Sequence, residues 1–519
     1  MNSKQSALRH HVKAFFFKQA AAYSCRRREL VGVRLLGVAC CLLSLQAFFN
    51  LQAHAQSINA RISVVSLSPA RLKVEGERAE GTRIWSFRNA YGSLIGLGER
   101  IENLSLKNAS GVEVAVRKMA AGEYESQSEA NRFSYEVNLN APAMPTDLAH
   151  ASWLAGERGF LMLGDLLPLV SNQERSHSAS IIDLTVPANW TVATTETKRA
   201  DALFEVNDLE NAVFFAGRNL RERSKIIGAL NFTLAITGDW SFADEDVLSM
   251  AADILKEHAV AVGGTTPKRA MLMLAPFPQK FGAERWAAET RGETVMLLSG
   301  QSPSRVIGLA QLSVSLTHEL FHLWVPNALT LDGDYDWFYE GFTLYQALRV
   351  GVKLQYLTFQ DYINSLGRAF EIYQSVSERD RFSLIEASRR RWSGAGALVY
   401  QKSLIVAFLY DLTLRQMSGG KRTLDDVYRS LFRYNHDAMM RSDGNAAALN
   451  ALKSQEGMQD FTRRYIENAA AIDLNSAIAP FGLTTQNFGA RTIVRVSGSL
   501  TRSQRDLLRK LGYNDRVGH

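Results

Sequence analysis

Apolar and polar residues alternate in short runs from residue 58 to about residue 239. The segments "RISVVSLSPARLKVEGE" (61–77), "GVEVAVRKM" (111–119), "RFSYEVNLNA" (132–141) and "DALFEVNDL" (201–209) have the period of two that sends successive side chains to opposite faces of a strand. No comparable stretch in this part of the chain has helical spacing, so a β-sandwich-like N-terminal domain is expected over residues 56–240. The period changes at "DWSFADEDVLSMAADILKEHAVAVGG" (239–264). Acids crowd its early turns, glycines close it, and Ser241 is available as an N-cap, which predicts a helix. "KRAMLMLAP" (268–276) and "GETVMLLSG" (292–300) read as strands, and nearly everything after residue 303 reads as helix. Residues 241–487 are therefore expected to form a mainly helical α+β domain. The basic tail, 488–519, shows no clear predicted structure. There is no internal repeat and no low-complexity linker.

A chain of 519 residues with 46% hydrophobic and 21% charged residues is long enough for two domains with substantial cores. Its net charge of +7 suggests a polyanion partner until the charge is located. Residues 1–55 hold eight basic residues against Glu29 alone, which accounts for the whole surplus. The body is near neutral, and no nucleic-acid partner is expected. The leader itself has a basic start, an apolar run at 35–49 and the small residues Ala53 and Ala55 around His54. This is the pattern of a signal peptide cleaved before Gln56, with export to the periplasm or medium. The apolar run is short for a membrane span. An uncleaved anchor and lipidation at Cys40 or Cys41 are the alternatives. All three cysteines, Cys25, Cys40 and Cys41, lie in the leader, so neither disulfides nor thiol chemistry is expected of the mature protein.

The candidate chemistry lies at 316–345, "LTHELFHLWVPNALTLDGDYDWFYEGFTLY". His318, Glu319 and His322 form H-E-x-x-H in an apolar helical stretch that Pro326 should end. Four residues apart, the two histidines share a helix face and can reach one ion. Glu319 points about 100° away from His318, beside such an ion, where a general base for water belongs. Zn²⁺ needs a further protein ligand, and Glu340 is the candidate. It lies on a second amphipathic helix marked by Phe338, Phe342, Tyr345 and Leu348, where a lone carboxylate is costly unless paired or bound to metal. The acidic "DGDYD" (332–336) mimics a calcium loop but has Trp337 where that loop needs glycine, so it reads as a solvated turn.

H-E-x-x-H followed by W-x-x-E-G-F-T-x-Y resembles the glycyl aminopeptidase family of gluzincin metallopeptidases, relatives of the aminopeptidase N and leukotriene-hydrolase group. A second block, "VYQKSLIVAFLYDLTLRQMSGGKRTLDDVYRSLF" (399–432), is similar to that family's Y-x-K-G segment, although Ser403 stands where the family has glycine. The two blocks span about 65 residues, and no module like that family's C-terminal PDZ module is expected within these 519 residues. The resemblance implies a thermolysin-like catalytic domain with zinc on His318, His322 and Glu340, and Glu319 as base. It also implies that Tyr400 polarises the scissile carbonyl, as a phenol hydrogen-bonding a developing oxyanion can. A weaker match, "AAETRGETVML" (287–297), puts Glu289 on the glutamate that holds a substrate's free amine in the related aminopeptidases; Ala287, Ala288 and Thr290 depart from the family pattern there. On a solvated edge, Arg291 and Glu293 could pair with Glu289 instead. The expected function is zinc-dependent hydrolysis of a peptide or protein substrate, by aminopeptidase action. The alternatives are a peptide-binding protein that keeps a peptidase fold, and a zinc hydrolase of another amide or ester.

Overall fold

A computed structural model describes residues 57–169, 179–265, 267–436 and 439–514. The expected leader and its cleavage site at Gln56 lie outside them. Four layers stack from the N-terminal part to the helices. The first is a nine-stranded sheet around the long strands Ala70–Ser86 and Glu123–Asn138, with Ile58–Leu67 paired to the other edge of Ala70–Ser86. The second has four strands in the order Thr191–Ala193, Val213–Gly217, Arg158–Met162 and Trp153–Ala155. The third has five: Arg221–Ile227, Leu230–Ile236, Arg269–Pro276, Thr294–Ser299 and Trp286–Arg291. Helices form the fourth.

Side-chain alternation builds all three interfaces. In Val213–Gly217, Phe214 and Ala216 enter the core facing the nine-stranded sheet, while Val213 and Phe215 face the five-stranded one. In Arg269–Pro276, Met271, Met273 and Ala275 meet that four-stranded sheet, whereas Ala270, Leu272 and Leu274 pack under the helices. Strands covered on both faces have no polar side to show, which is why "AMLMLA" and "NAVFF" run almost without polar residues. The sandwich-like arrangement of strands followed by helices is thus present. One hairpin, residues 221–236, lies within the N-terminal strand region yet pairs in parallel with Arg269–Pro276 of the later sheet.

Two local expectations differ. The helix predicted from Ser241 begins at Asp244, because the Ala243 N–H donates to the Asp246 carboxylate at 3.0 Å and so supplies the cap without a hydroxyl. Gly263 and Gly264, with φ of 96° and 91°, end it as expected. The basic tail is also ordered through residue 514. Leu483–Phe488 and Arg491–Val496 form a hairpin against the helix Phe359–Ser375, and Thr501 with Gln504 caps a helix, Arg502–Arg509, that buries Leu507 and Leu508. The "TRSQ" box that starts this helix is hidden among the arginines. Among the described residues, no helix is long and apolar enough to cross a membrane.

Candidate metal centre

The helix Arg305–Glu319 begins at Ser304, whose hydroxyl accepts the Ile307 N–H, and lies on the five-stranded sheet through Leu312 and Leu316. It tightens into a 3₁₀ turn, Leu320–Leu323, and ends before Pro326. His258, buried behind it and held neutral by burial (pushed down to about 3), meets the Thr317 carbonyl at 3.0 Å. His318 and His322 point the same way, with their Nε2 atoms 3.0 Å apart. Glu340 Oε2 lies 3.4 Å from one and 3.6 Å from the other. Three donors so spaced enclose a point about 1.9 Å from each, so they suit an ion at zinc's bond lengths of roughly 2.0–2.2 Å. His322 Nδ1 lies 2.9 Å from the Val325 carbonyl, and donation there leaves Nε2 free as a ligand. Among the described residues, this triad is the group able to hold a metal ion.

The electrostatics favour a cation here. Burial opposes charge on Glu340, but His318, His322 and Arg391 outweigh it and hold the carboxyl well below its usual range. Burial likewise opposes charge on His322, yet the adjacent Glu340 pushes it up to about 9. Cation binding at these groups would release protons.

Glu319 stands beside the triad. Thr290 Oγ1 lies 2.9 Å from its Oε2 and 3.0 Å from its backbone carbonyl, tying the edge strand Trp286–Arg291 to the helix. Burial pushes the Glu319 carboxyl up, and the two histidines pull against that. Such a group is suited to taking and returning a proton.

Glu340 and Tyr400 each sit in a wide π-helical turn, Trp337–Phe342 and Leu398–Lys402, that leads into an α-helix. The turns touch at Gly341, where an added Cβ would overlap Ser403 Cβ outright and lie 2.9 Å from the Val399 carbonyl oxygen. Gly341, the glycine of the E-G-F-T motif, is what leaves room for the Ser403 side chain. Burial, with Glu340 nearby, raises the Tyr400 phenol well above its usual range, so it stays a neutral donor. Lys402 is fully buried, points to the Arg379 carbonyl at 3.4 Å and makes no contact with the triad.

Sequence reasoning missed Arg391. Its Nη2 meets Glu340 Oε1 at 2.9 Å and donates to the Tyr400 hydroxyl, and its Nη1 meets Asp336 at 2.7 Å. Asp336, expected in a solvated turn, is therefore buried and paired. Arg391 lies in "SRRRWSG", where nothing distinguishes it from its exposed neighbours Arg389 and Arg390.

Glu289 lies on the same edge strand as Thr290 but has partners of its own. Its carboxylate accepts from Tyr91 Oη at 2.5 Å and meets His150 Nε2 at 3.1 Å. Both partners come from the N-terminal strand region, which no local pattern could reveal. Glu293 pairs instead with Arg269, and Arg291 lies over the Tyr91 ring at 4.2 Å. Burial opposes charge on Glu289, but His150, Arg291 and Tyr91 keep its carboxyl below the usual value.

The fold is similar to that of solved structures described as an aminopeptidase N family protein and an M1 zinc metallopeptidase. The chain is similar to an aminopeptidase N family protein from Idiomarina loihiensis, with a TM-score of 0.71 over 83% of this chain and 79% of that one, at 17% identity. It is also similar to an M1 zinc metallopeptidase from Deinococcus radiodurans, solved as a mutant bound to a Tyr-Ser-Ala substrate. There the TM-score is 0.53, at 13% identity, over 80% of this chain and 94% of that one. The structure of the same enzyme without that mutation gives 0.51 at 14% identity, over 81% and 95%. Compared by sequence, the chain matches no protein-family model and no curated protein.

Proposed function

We propose that this chain is an exported zinc metallopeptidase of the gluzincin type, with a thermolysin-like catalytic arrangement, that removes small N-terminal residues from peptides. The observation that carries this reading is the triangle of His318, His322 and Glu340 donor atoms with the Glu319 carboxylate beside it. Those three residues would hold Zn²⁺. When bound, zinc supplies Lewis acidity and makes water easier to deprotonate. Glu319 takes the proton of the attacking water, oriented by Thr290, and passes it to the leaving amine. Tyr400 donates a hydrogen bond to the scissile carbonyl oxygen as charge develops on it. Glu289, kept ionised by His150 and Arg291, attracts the substrate's α-ammonium, which gives the N-terminal strand region a share in the site. The Tyr-Ser-Ala complex of the Deinococcus radiodurans enzyme supports a short peptide as the substrate class. The leader supports export.

The test is hydrolysis of an alanine-initiated tripeptide and of its N-acetylated form by zinc-loaded protein. Rapid cleavage of the free peptide only is expected, with none by Glu319→Gln that still holds zinc. Equal rates on both peptides would remove the amine anchor. No turnover of either would favour the peptide-binding alternative.

A further inference from the structure

Glu340 and Tyr400 come from different turns, and neither turn alone orients its functional atom. Glu340 has two equivalent oxygens, either of which could swing toward the histidines. Tyr400 has one hydroxyl hydrogen that could point to any nearby acceptor, Glu340 included. One side chain touches both. Arg391 Nη2 lies 2.9 Å from Glu340 Oε1 and also contacts the Tyr400 hydroxyl, so its two hydrogens serve the two partners. The other arm, Nη1, is fixed on Asp336 Oδ1 at 2.7 Å and lies 3.4 Å from Tyr339 Oη. The guanidinium is stacked over the Trp392 ring at 4.5 Å and the Tyr400 ring at 5.0 Å. These contacts flank both arms of the guanidinium.

Donor chemistry then dictates polarity. A guanidinium carries only N–H donors. Facing it, the Tyr400 oxygen can only accept, and its own hydrogen is left for another acceptor. Glu340 Oε1 is likewise occupied, which leaves Oε2 as the oxygen facing His318 and His322. The charge of Asp336 offsets that of Arg391, so the cation sits beside the metal centre at little electrostatic cost to a bound ion.

Resting on the metallopeptidase reading above, we propose that Arg391 is a positioning residue that sets two things at once: which oxygen of Glu340 faces the metal, and that Tyr400 presents its hydrogen to the substrate carbonyl. It touches neither substrate nor metal. It acts through its two partners.

Arg391→Lys tests this, because it keeps a charge for Asp336 while losing the fork that reaches both partners. Zinc affinity, measured by competition with a chromophoric chelator, should weaken roughly 10- to 100-fold, as on loss of a group that orients a ligand. At saturating zinc, kcat should fall about 10-fold or more, with KM little changed. In a Tyr400→Phe background, the same substitution should cost almost nothing further in kcat. A merely structural arginine would give equal losses in both backgrounds. Wild-type zinc affinity in Arg391→Lys, or fully additive kcat losses, would overturn the proposal. Should Arg391→Lys fail to fold, Arg391→Gln with Asp336→Asn removes both charges together and is read by the same two measurements. A wild-type chain that binds no zinc would sink the metallopeptidase reading and this inference with it. An active, zinc-holding wild type with an indifferent Arg391 sinks this inference alone.

Discussion

Gly341→Ala should separate Glu340 from Tyr400 without touching either. Residue 341 is where the two π-helical turns meet, and its missing side chain is what lets them touch. A methyl group there would overlap Ser403 Cβ, and would lie 2.9 Å from Val399 O and 3.1 Å from the Ser403 carbonyl carbon. Ordinary carbon contacts need roughly 3.5–4.0 Å, so the turns must part by something on the order of 1 Å. Both are rooted in packed helices, with Phe338, Phe342, Leu398 and Val399 fully buried, so little can relax nearby. Overpacking of this kind costs about 1–3 kcal/mol of stability. A displacement of about 1 Å between catalytic groups costs roughly 100-fold in rate. Denaturant unfolding and steady-state kinetics at saturating zinc measure the two effects. Adding Ser403→Gly should recover only part of each, since the Val399 carbonyl still crowds the methyl and a mid-helix glycine costs about 1 kcal/mol itself. Gly341→Ala with wild-type stability and kcat would refute the claim that this contact sets the distance between Glu340 and Tyr400.

Tyr400→Phe should keep zinc and substrate binding but lower kcat and kcat/KM together by roughly 10²–10³; an unchanged kcat at matched zinc would return the phenol to a packing role. Glu196, half-buried between the strands Thr191–Ala193 and Thr197–Lys198, gives a pH-dependent test. Burial pushes its carboxyl from 4.5 up to about 7, so its contribution is fully present below pH 4.5 and is lost as pH rises through 7, by at most about 3 kcal/mol. Glu196→Gln should therefore raise the melting temperature at pH 8 and leave it nearly unchanged at pH 4.5; equal shifts at both values would contradict the assignment. Intact-mass analysis of exported protein should find Gln56 at the N-terminus and no cysteine, whereas retention of Cys25 would rule out the proposed cleavage.

What could be read in advance was local. H-E-x-x-H lies within one helix and its 3₁₀ end, so a four-residue spacing is enough to place both imidazoles together. Glu340 stood out because an acid among Phe338, Phe342 and Tyr345 demands a partner. The strands from Ile58 onward were legible wherever one face is polar. What stayed hidden was assembled by the fold from distant parts of the chain. Tyr91 and His150 reach Glu289 across nearly 200 and 140 residues. Arg391 looks like any member of a charged run until the fold sets its guanidinium against Asp336 and Glu340. The start of the helix at Asp244 was displaced because an acid three residues inside did the capping that a hydroxyl was expected to do.

Zinc content per chain tests the central claim most directly. Wild-type protein, His318→Ala and Glu340→Ala are purified alike, dialysed against metal-free buffer and measured by elemental analysis. One zinc per wild-type chain and almost none in either variant is the expected result, because two protein ligands hold the ion too weakly to survive dialysis. Stoichiometric zinc in both variants would place the metal elsewhere and contradict the assignment of His318, His322 and Glu340 as its ligands.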